Sequence, residues 1–413
     1  MEERIILHSD ADSFFASVET ALDPGLKGKA VAVCGSVEEW HGIVLAKSEL
    51  AKRAGVKTGM TVGDAKKRCP SLTVVSPHYD RYVEYSLALR EIYDDYSDRV
   101  EPFGMDECWL DISSGIKNYK DAVFVSDTLK KQVKRSLGIS VSVGISFNKV
   151  FAKLASDLNK PDGMALVRPE DYKQRLYPLP VNSLLGVGRA TAATLSRYGI
   201  RTIGALAQCD STLLSRLMGK TGVMLWRYAN GLDNSPVLTE AERPPVKSVG
   251  HGMTPRADLT TCEAVREFML GLSVEIGRRL RKYGMRAGGV SIALRDTHLS
   301  VKQLQAPLAV ATDNAVDIAR AAYRLFQAGG VGLMPLRSLT VTAISLQSEN
   351  APLQADLFTD YRRIEKRAAL DRAVDSLCER YGKNTLMPAT LCGKGFTLSP
   401  SGQSFHTIGK TYM

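Results

Sequence analysis

Two short apolar runs that end in carboxylates constrain the fold of this chain more than any other feature. Residues 4–10 read as a strand ending at Asp10, and residues 100–111 place Asp106 and Glu107 between two strand-like stretches. A carboxylate beside a buried strand is costly unless a cation neutralises it. Two such runs in one sheet are typical of sites that hold two Mg²⁺ ions for phosphoryl or nucleotidyl transfer. We therefore expect these three carboxylates to be metal ligands, although each alone also fits a cap or a turn.

Neighbouring residues of a strand point to opposite faces of its sheet. Asp106 and Glu107 can therefore share a site only at a strand end or a bulge, and Gly104 offers the backbone freedom for such a bend. Asp12, two residues after Asp10, is a candidate accessory ligand.

An aromatic pair, Phe14 and Phe15, follows at the start of a helical pattern. We expect Phe14 to be core, whereas Phe15 is either core or packed under a nucleotide sugar, where it would exclude a 2′-hydroxyl. Lys160 lies in the turn 159–163 and is either a phosphate ligand or a surface lysine. The basic residues near the presumed site are Lys52, Arg53, Lys149, Lys153 and Lys160.

The bulk composition is that of a soluble globular protein with two to four domains, since the 413 residues are 44% hydrophobic and 24% charged. No run approaches the roughly 18 apolar residues of a membrane helix, and the acidic N-terminus is not a secretion signal. Seven scattered cysteines without a CxxC pair predict reduced thiols in the cytoplasm. We expect a cytoplasmic protein without membrane contact.

Positive charge is concentrated in one part of the chain. The net charge is +10, and residues 243–337 hold 14 Lys/Arg against 7 Asp/Glu, a surplus of 7. Such a surplus indicates either a domain that contacts a polyanion or a solvated basic surface.

The pattern of elements predicts an α+β sheet domain with helices on one face in the first part of the chain. The chain then reads as all-helical over 176–231, with a charged, proline-stiffened linker near 240–245. A β-α-β-β-α-β order follows over 247–346, and a last helix is predicted at 363–381.

Two further motifs carry candidate contacts. Gly186 and Gly188 begin a helix–hairpin–helix signal, in which backbone amides approach a phosphate; an ordinary tight turn is the alternative. Gln354, Leu357 and Phe358 resemble a linear docking peptide, unless the two apolar side chains pack back on their own domain.

Taken together, these residues resemble the Y-family (translesion) DNA polymerases over about residues 3–382, with the bacterial polymerase IV type as the nearest likeness. The matching motifs are DADSFFASVE at 10–19, EPFGMDECWLD at 101–111, SVGISFNK at 142–149, KPDG at 160–163 and KSVG at 247–250. The resemblance implies a right-hand polymerase with a palm at 1–13 and 79–172, small fingers at 14–78, a helical thumb at 173–239, a linker at 240–247, a separate α/β little finger at 248–349, and a tail at 350–413 that carries a clamp-binding peptide.

The resemblance also implies roles for single residues. Asp10, Asp106 and Glu107 become the carboxylates for two Mg²⁺ ions, assisted by the backbone carbonyl of Ala11. Phe15 falls on the steric-gate position. The candidate nucleotide triphosphate contacts are Phe14, Phe15, Lys52 and Lys160. The candidate DNA contacts are Gly186, Gly188, Lys247, Arg256, Arg295 and Arg337, and the clamp contacts are Gln354, Leu357 and Phe358.

The fingers depart from the polymerase IV pattern. Where that pattern has Thr, Tyr and Arg for the triphosphate, this chain has Ala46, Glu49 and Lys52. Lys lacks the bidentate fork of Arg, and we expect Glu49 to point away from a triphosphate that it would repel. The catalytic subunit of polymerase V is similar here. The sequence therefore leaves open whether this chain depends on accessory proteins.

We therefore predict a template-directed DNA polymerase of the translesion type. Its expected partners are primer–template DNA, deoxynucleoside triphosphates and a sliding clamp, and the chain is expected to be a monomer. The alternative is a non-catalytic adaptor of the same fold that bridges DNA, clamp and another polymerase; such relatives lose the metal carboxylates, which are all present here.

Overall fold

The computed structural model describes residues 4–35, 42–116, 118–352, 360–382 and 385–392. These residues divide into two units, which meet in sequence between Arg243 and Pro244. That boundary lies inside the stretch that the sequence predicts as a linker. Among the described helices, none is both long and apolar enough to span a bilayer.

The first unit holds two β-sheets. Its described strands are β1 (Ile6–Ala11), β2 (Val31–Cys34), β3 (Val44–Lys47), β4 (Thr73–Val75), β5 (Val100–Pro102), β6 (Glu107–Asp111), β7 (Val141–Ser146) and β8 (Met164–Leu166). The larger sheet has the order β5-β6-β1-β7-β8, and the smaller has the order β3-β2-β4.

Helices alternate with these strands and continue beyond them. The described helices of the first unit are α1 (Phe14–Leu22), α2 (Glu49–Arg53), α3 (Val62–Arg68), α4 (Tyr79–Asp94), α5 (Tyr119–Leu137), α6 (Lys149–Leu158), α7 (Tyr172–Leu176), α8 (Arg189–Arg197), α9 (Ile203–Gln208), α10 (Ser211–Met218) and α11 (Lys220–Ala229). Polar caps begin several of them: the Asn118 side chain accepts two amides at the start of α5, and Asn148 accepts one at the start of α6.

The large sheet is covered by helices on both faces, so the prediction of helices on one face is wrong. Leu7 packs into the core on the side of α4 and α5, whereas Ile6 packs with Ala152 of α6 on the other side. All six residues of β1, polar ones included, are buried. A strand without a polar face needs cover on both sides, and the mixed composition of β1 conceals this in the sequence.

The small sheet carries its own core. The side chains of Val44, Val56 and Val62 pack there with Ala51 of α2 and Ala65 of α3. After β8 the chain is helical, as predicted, and Gly186 adopts a φ of +87° in the hairpin before α8.

The second unit has the predicted β-α-β-β-α-β order. Its described elements are β9 (Val249–Met253), α12 (Cys262–Lys282), β10 (Met285–Asp296), β11 (Val301–Thr312), α13 (Ala315–Gly329), β12 (Leu336–Ser348) and α14 (Tyr361–Tyr381). The sheet is antiparallel in the order β11-β10-β12-β9. Apolar residues of α12 and α13 pack with the sheet in one core. The α+β class predicted from the sequence is confirmed.

The last helix is attached to the rest of the second unit by an ion pair and a hydrogen bond. Arg281 of α12 donates to both carboxylate oxygens of Asp375 at 2.6 and 3.0 Å, and Asn314 donates to Asp371 at 2.8 Å. The predicted start of this helix lies two residues late. The clamp peptide residues Gln354, Leu357 and Phe358 fall outside the described residues.

Candidate active site

The strand register brings the predicted carboxylates to one end of the large sheet. Asp10 of β1 lies opposite Glu107 of β6, and the Ala11 amide donates to the Asp106 carbonyl at 2.9 Å. Glu107 is the first residue of β6, and Gly104 has a φ of +99°. The expected strand end and glycine bend are both observed, and they let neighbouring acidic residues share one site.

The site concentrates negative charge where water is scarce. Burial, with the charges of Glu107 and Asp106 adding to it, raises the pKa of Asp10 to about 7 although Lys160 opposes the shift. Burial and the Glu107 charge likewise raise the pKa of Asp106 to about 6. Burial would also raise the pKa of Glu107, but its contact with His8 and the charge of Lys153 hold it at about 2. Such a cluster favours a bound cation.

Two lysines supply positive charge to this cluster. Lys160 Nζ donates to Asp10 Oδ2 at 2.6 Å and also contacts Asp157 at 2.7 Å. Burial opposes the charge on Lys160, yet Asp10 raises the pKa of this ammonium group above its usual value. Lys153 of α6 donates to Glu107 Oε2 and lies 4.9 Å from the Phe103 ring centre.

Asp12 has a structural role, contrary to the expectation of an accessory ligand. Its two oxygens accept from Ser140 Oγ at 2.8 Å, Ser142 Oγ at 2.7 Å and the Asp162 amide at 2.8 Å. Because these donors occupy the carboxylate, Asp12 anchors the turn that presents Lys160. A cap-like role was the alternative interpretation of this residue type.

Lys149 is also structural. Its Nζ donates to both oxygens of Glu101 at 2.6 and 2.7 Å and lies 4.5 Å from the Trp109 ring centre. Both charged side chains are buried. The sequence grouped Lys149 with Lys153 and Lys160, but the buried pair removes it from the candidate phosphate ligands.

The aromatic pair divides into one core and one half-buried residue. Phe14 is buried in the core, as expected, so any contact it makes with a nucleotide would come from its backbone. Phe15 stacks on Tyr82 with ring centres 4.1 Å apart and planes at 12°. The Tyr82 hydroxyl donates to the buried Glu19 carboxylate. The ring of Phe15 is therefore supported by Tyr82, which Glu19 holds in place. The sequence did not reveal this support.

In the fingers segment, Glu49 is neutralised on its own helix. It lies 3.6 Å from Lys52 Nζ and 3.7 Å from Arg53 Nε, and both basic side chains are mostly exposed. Ala46 of β3 packs against the core of the large sheet. Local pairing thus reduces the repulsion that a free Glu49 would exert on a triphosphate.

The candidate DNA contacts are exposed in each unit separately. Gly188 directly precedes α8 and leaves the first amides of that helix uncapped by a side chain. In the second unit the exposed basic candidates are Lys247, Arg256, Arg295 and Arg337. Arg295 lines a groove of about 290 Å³ on the sheet, and Arg337 pairs with Asp258 at 3.2 Å.

The site contains two polar residues that sequence reasoning missed, His8 and Ser156. His8 Nδ1 lies 2.9 Å from Ser156 Oγ, and burial lowers the pKa of His8 to about 4. Two-residue alternation places His8 on the same face as Asp10, and Ser156 follows Lys153 by three positions on α6. This spacing is the signal that would have found them.

The donor set fits a hard divalent cation, because Asp10, Asp106 and Glu107 offer only oxygen ligands. In the part of the chain that the structure describes, no three acidic, His or Cys side chains close around a metal position. Lysine ammonium groups instead contact Asp10 and Glu107. The carboxylates therefore fit the cation by chemistry and charge.

Comparisons with known proteins agree with this arrangement. Models of the impB/mucB/samB family match residues 9–157, and models of its C-terminal domain match residues 246–357. The chain is 42% identical to DNA polymerase IV of Acetivibrio thermocellus over 92% of this chain and 95% of that protein. It is 34% identical to DNA polymerase IV 2 of Bacillus subtilis over 99% and 98%.

The fold has a solved counterpart. A Y-family DNA polymerase chimera superposes with a TM-score of 0.75 and 23% identity, covering 83% of this chain and 98% of the chimera. The chain belongs to the impB/mucB/samB family, the Y-family DNA polymerases.

The function predicted from the sequence is confirmed: the chain is a DNA-directed DNA polymerase of the translesion type. This identity implies a requirement for a divalent metal and binding of primer–template DNA and deoxynucleoside triphosphates. The comparisons give no support to the adaptor alternative.

Proposed function

We propose that Asp10, Asp106 and Glu107 form the catalytic centre at which this polymerase extends a primer 3′ end opposite damaged template. The observation that carries this proposal is the register of β1 and β6, which pairs Asp10 with Glu107 and holds Asp106 beside Ala11. The three carboxylates would hold two Mg²⁺ ions, with the Ala11 carbonyl as a further oxygen. When bound, these ions would activate the attacking 3′-hydroxyl and neutralise the leaving pyrophosphate.

The protein's own groups bind and orient the nucleotide. Lys160 sits 2.6 Å from Asp10 on a turn tied to Asp12, so its ammonium group is held beside the centre as a triphosphate ligand. Lys52 is a second, exposed cation for the triphosphate. The Phe15 ring, supported by Tyr82, acts as the steric gate against a ribose 2′-hydroxyl.

The remaining assignments concern domains and partners. We assign the large sheet to the palm, the small sheet to the fingers, the helices after β8 to the thumb and residues 248–349 to the little finger. Amides near Gly186 and Gly188, with Lys247, Arg256, Arg295 and Arg337, would contact DNA phosphates, so binding should weaken steeply with salt. Gln354, Leu357 and Phe358 would dock on a sliding clamp. We further propose that the chain acts as a monomer in the cytoplasm.

Primer extension with Mg²⁺ and the four deoxynucleotides tests the catalytic centre, with Asp106→Asn as the variant and the exposed Asp98→Asn as the matched control. We expect extension by the wild type and Asp98→Asn, and a loss of at least about 10³-fold for Asp106→Asn, since several kcal/mol of charge stabilisation is removed. Retained extension by Asp106→Asn would overturn the metal-ligand assignment.

Clamp docking needs its own test. Replacing Leu357 and Phe358 with Ala should abolish binding to a bacterial sliding clamp while leaving clamp-free extension unchanged. Equal clamp affinity of the wild type and the double variant would remove the docking assignment without affecting the catalytic one.

A further inference from the structure

A histidine lies at the centre of the large sheet, directly beneath the catalytic carboxylates. His8 of β1 stands opposite Trp109 of β6 and Gly144 of β7, and its side chain is fully buried. Two-residue alternation directs it to the face that carries Asp10. A buried imidazole at this position requires partners for both ring nitrogens.

Each ring nitrogen of His8 lies close to one polar side-chain oxygen. Nδ1 lies 2.9 Å from Ser156 Oγ, and Nε2 lies 3.2 Å from Glu107 Oε2. Nε2 is sealed from solvent, and its contact with Glu107 falls short of good hydrogen-bond geometry. A buried polar atom that lies beside a proposed metal ligand, without a hydrogen-bond partner among the described residues, points to a role in the site.

The two oxygens of Glu107 have different neighbours. Oε2 contacts both His8 Nε2 and Lys153 Nζ. Among the described residues, no hydrogen bond reaches Oε1. The protein therefore holds the carboxylate by one oxygen and leaves the other available.

The carboxylate beside Nε2 favours the tautomer that carries its proton on Nε2. A neutral ring carries a single N–H, and a bare Nε2 lone pair against a carboxylate oxygen would be repulsive. If the Ser156 hydroxyl donates to Nδ1, the proton sits on Nε2 and donates to Glu107. The same hydroxyl lies 2.7 Å from the Lys153 carbonyl, so Ser156 has two acceptors in reach and its rotation decides which one it uses.

The close approach of α6 to the sheet brings Ser156 within reach of His8. A Cβ at Gly144 would overlap backbone atoms of Ala152 and Ser156, so only glycine allows helix and strand to touch here. Gly144 is also the register partner of His8. The contact between His8 and Ser156 thus depends on a glycine two strand positions from the site.

We propose that His8 is a positioning residue for Glu107: its Nε2–H, set by Ser156, fixes Oε2 and presents Oε1 to the metal. This inference rests on the proposed function, because it takes Glu107 as a metal ligand. Outer-sphere partners of this kind orient ligands, and their removal commonly weakens metal affinity 10–100-fold. His8 touches neither substrate nor metal.

Three variants and a control test the inference. His8→Phe keeps a planar ring but removes the donor, His8→Gln restores a donor, and Ser156→Ala removes the group that sets the tautomer. Ser126→Ala is the matched control, because Ser126 is a buried hydroxyl of α5 that donates to the Ala122 carbonyl of its own helix at 2.8 Å. Two quantities are measured: the Mg²⁺ concentration for half-maximal extension, and the shift in thermal unfolding caused by Mg²⁺ without DNA or nucleotide.

We expect His8→Phe to raise the half-maximal Mg²⁺ concentration at least about tenfold and to abolish the Mg²⁺-induced thermal shift. At saturating Mg²⁺ its KM for deoxynucleotide should stay within about twofold of wild type. Ser156→Ala should act in the same direction by about threefold, His8→Gln should recover most of the loss, and Ser126→Ala should match the wild type. A merely structural role would lower the unfolding temperature without moving the Mg²⁺ dependence.

Wild-type Mg²⁺ dependence in both folded His8→Phe and Ser156→Ala would overturn the inference. If His8→Phe does not fold, Ser156→Ala decides by the same measurements. Failure of the proposed function would appear differently, as extension by Asp106→Asn or as absence of Mg²⁺-dependent extension in the wild type.

Discussion

Two lysines of helix α6, four residues apart, bind glutamates in opposite ways. Lys149 donates to both oxygens of Glu101, which also accepts the Leu238 amide at 2.7 Å, and the two side chains are only 9% and 8% exposed. Lys153 contacts one oxygen of Glu107, and these side chains are 18% and 21% exposed. The Glu101 carboxylate is buried and has hydrogen bonds to both oxygens, whereas the Glu107 carboxylate is more exposed and can still bind a cation. A nearby lysine does not tell a structural carboxylate from a site carboxylate. The number of hydrogen bonds to the carboxylate and its exposure do.

The largest effect is expected from breaking the buried pair of Lys149 and Glu101. Lys149→Met leaves Glu101 charged and buried without its cation, which commonly costs about 3–5 kcal/mol. Urea unfolding should show this loss, while extension per folded molecule at low temperature stays within about twofold of wild type. Adding Glu101→Gln should recover part of the stability, because the amide oxygen can still accept from Leu238. A stable Lys149→Met with impaired extension would reverse the two roles.

The anchor of the Lys160 turn comes next. Asp12→Ala leaves the Ser140 and Ser142 hydroxyls and the Asp162 amide without their acceptor, at a cost of about 1–3 kcal/mol. Because the turn carries Lys160, KM for deoxynucleotide should rise more than kcat falls. Steady-state kinetics check this, with Asp23→Ala as control, since the side chain of the exposed Asp23 accepts from the nearby Gly25 amide. An unchanged KM would mean that Asp12 contributes to stability but not to nucleotide binding.

Much of this molecule could be predicted from its sequence because the signals are local. Asp10, Asp106 and Glu107 stand at strand ends, and the glycine at 104 marks the bend between β5 and β6. Apolar patterns located the first strand and the last helix to within two residues. The β-α-β-β-α-β order of the second unit followed from the same signals.

What the sequence concealed depends on contacts between distant segments. The partner of Lys149 is 48 residues away, and that of Asp12 is 150 residues away at Asp162. The sequence does not show whether the partner of a charged side chain is a neighbouring residue, a distant residue or a metal. The contact of His8 with Ser156 is likewise hidden in the sequence, because it depends on the close packing of α6 against Gly144.

Lys153 and Lys149 should differ in how Mg²⁺ changes the effect of removing each ammonium group. Lys153→Met removes a partly exposed cation from a carboxylate cluster, so we expect a loss of about 1–2 kcal/mol without metal. Mg²⁺ should restore this stability, because the ion supplies the missing charge and has no ammonium group to displace. Urea unfolding without DNA, with and without Mg²⁺, measures both effects. Lys149→Met is the control, since Mg²⁺ cannot reach Glu101; equal recovery in both variants would contradict the distinction between them.

The smallest effect is expected from the exposed charges of α2. Glu49 pairs with Lys52 and Arg53 at 3.6 and 3.7 Å, and such surface pairs contribute at most about 0.5 kcal/mol. Glu49→Gln should therefore leave the free energy of unfolding nearly unchanged. It frees Lys52 for the triphosphate, so KM for deoxynucleotide should fall by no more than about threefold, and less at high salt. Asp64→Gln on α3, paired with Lys67 at 3.5 Å, is the matched control and should leave KM unchanged. A tenfold fall in KM for Glu49→Gln would mean that its charge faces the nucleotide despite local pairing, and the fingers would then belong to the site as fully as Lys160 does.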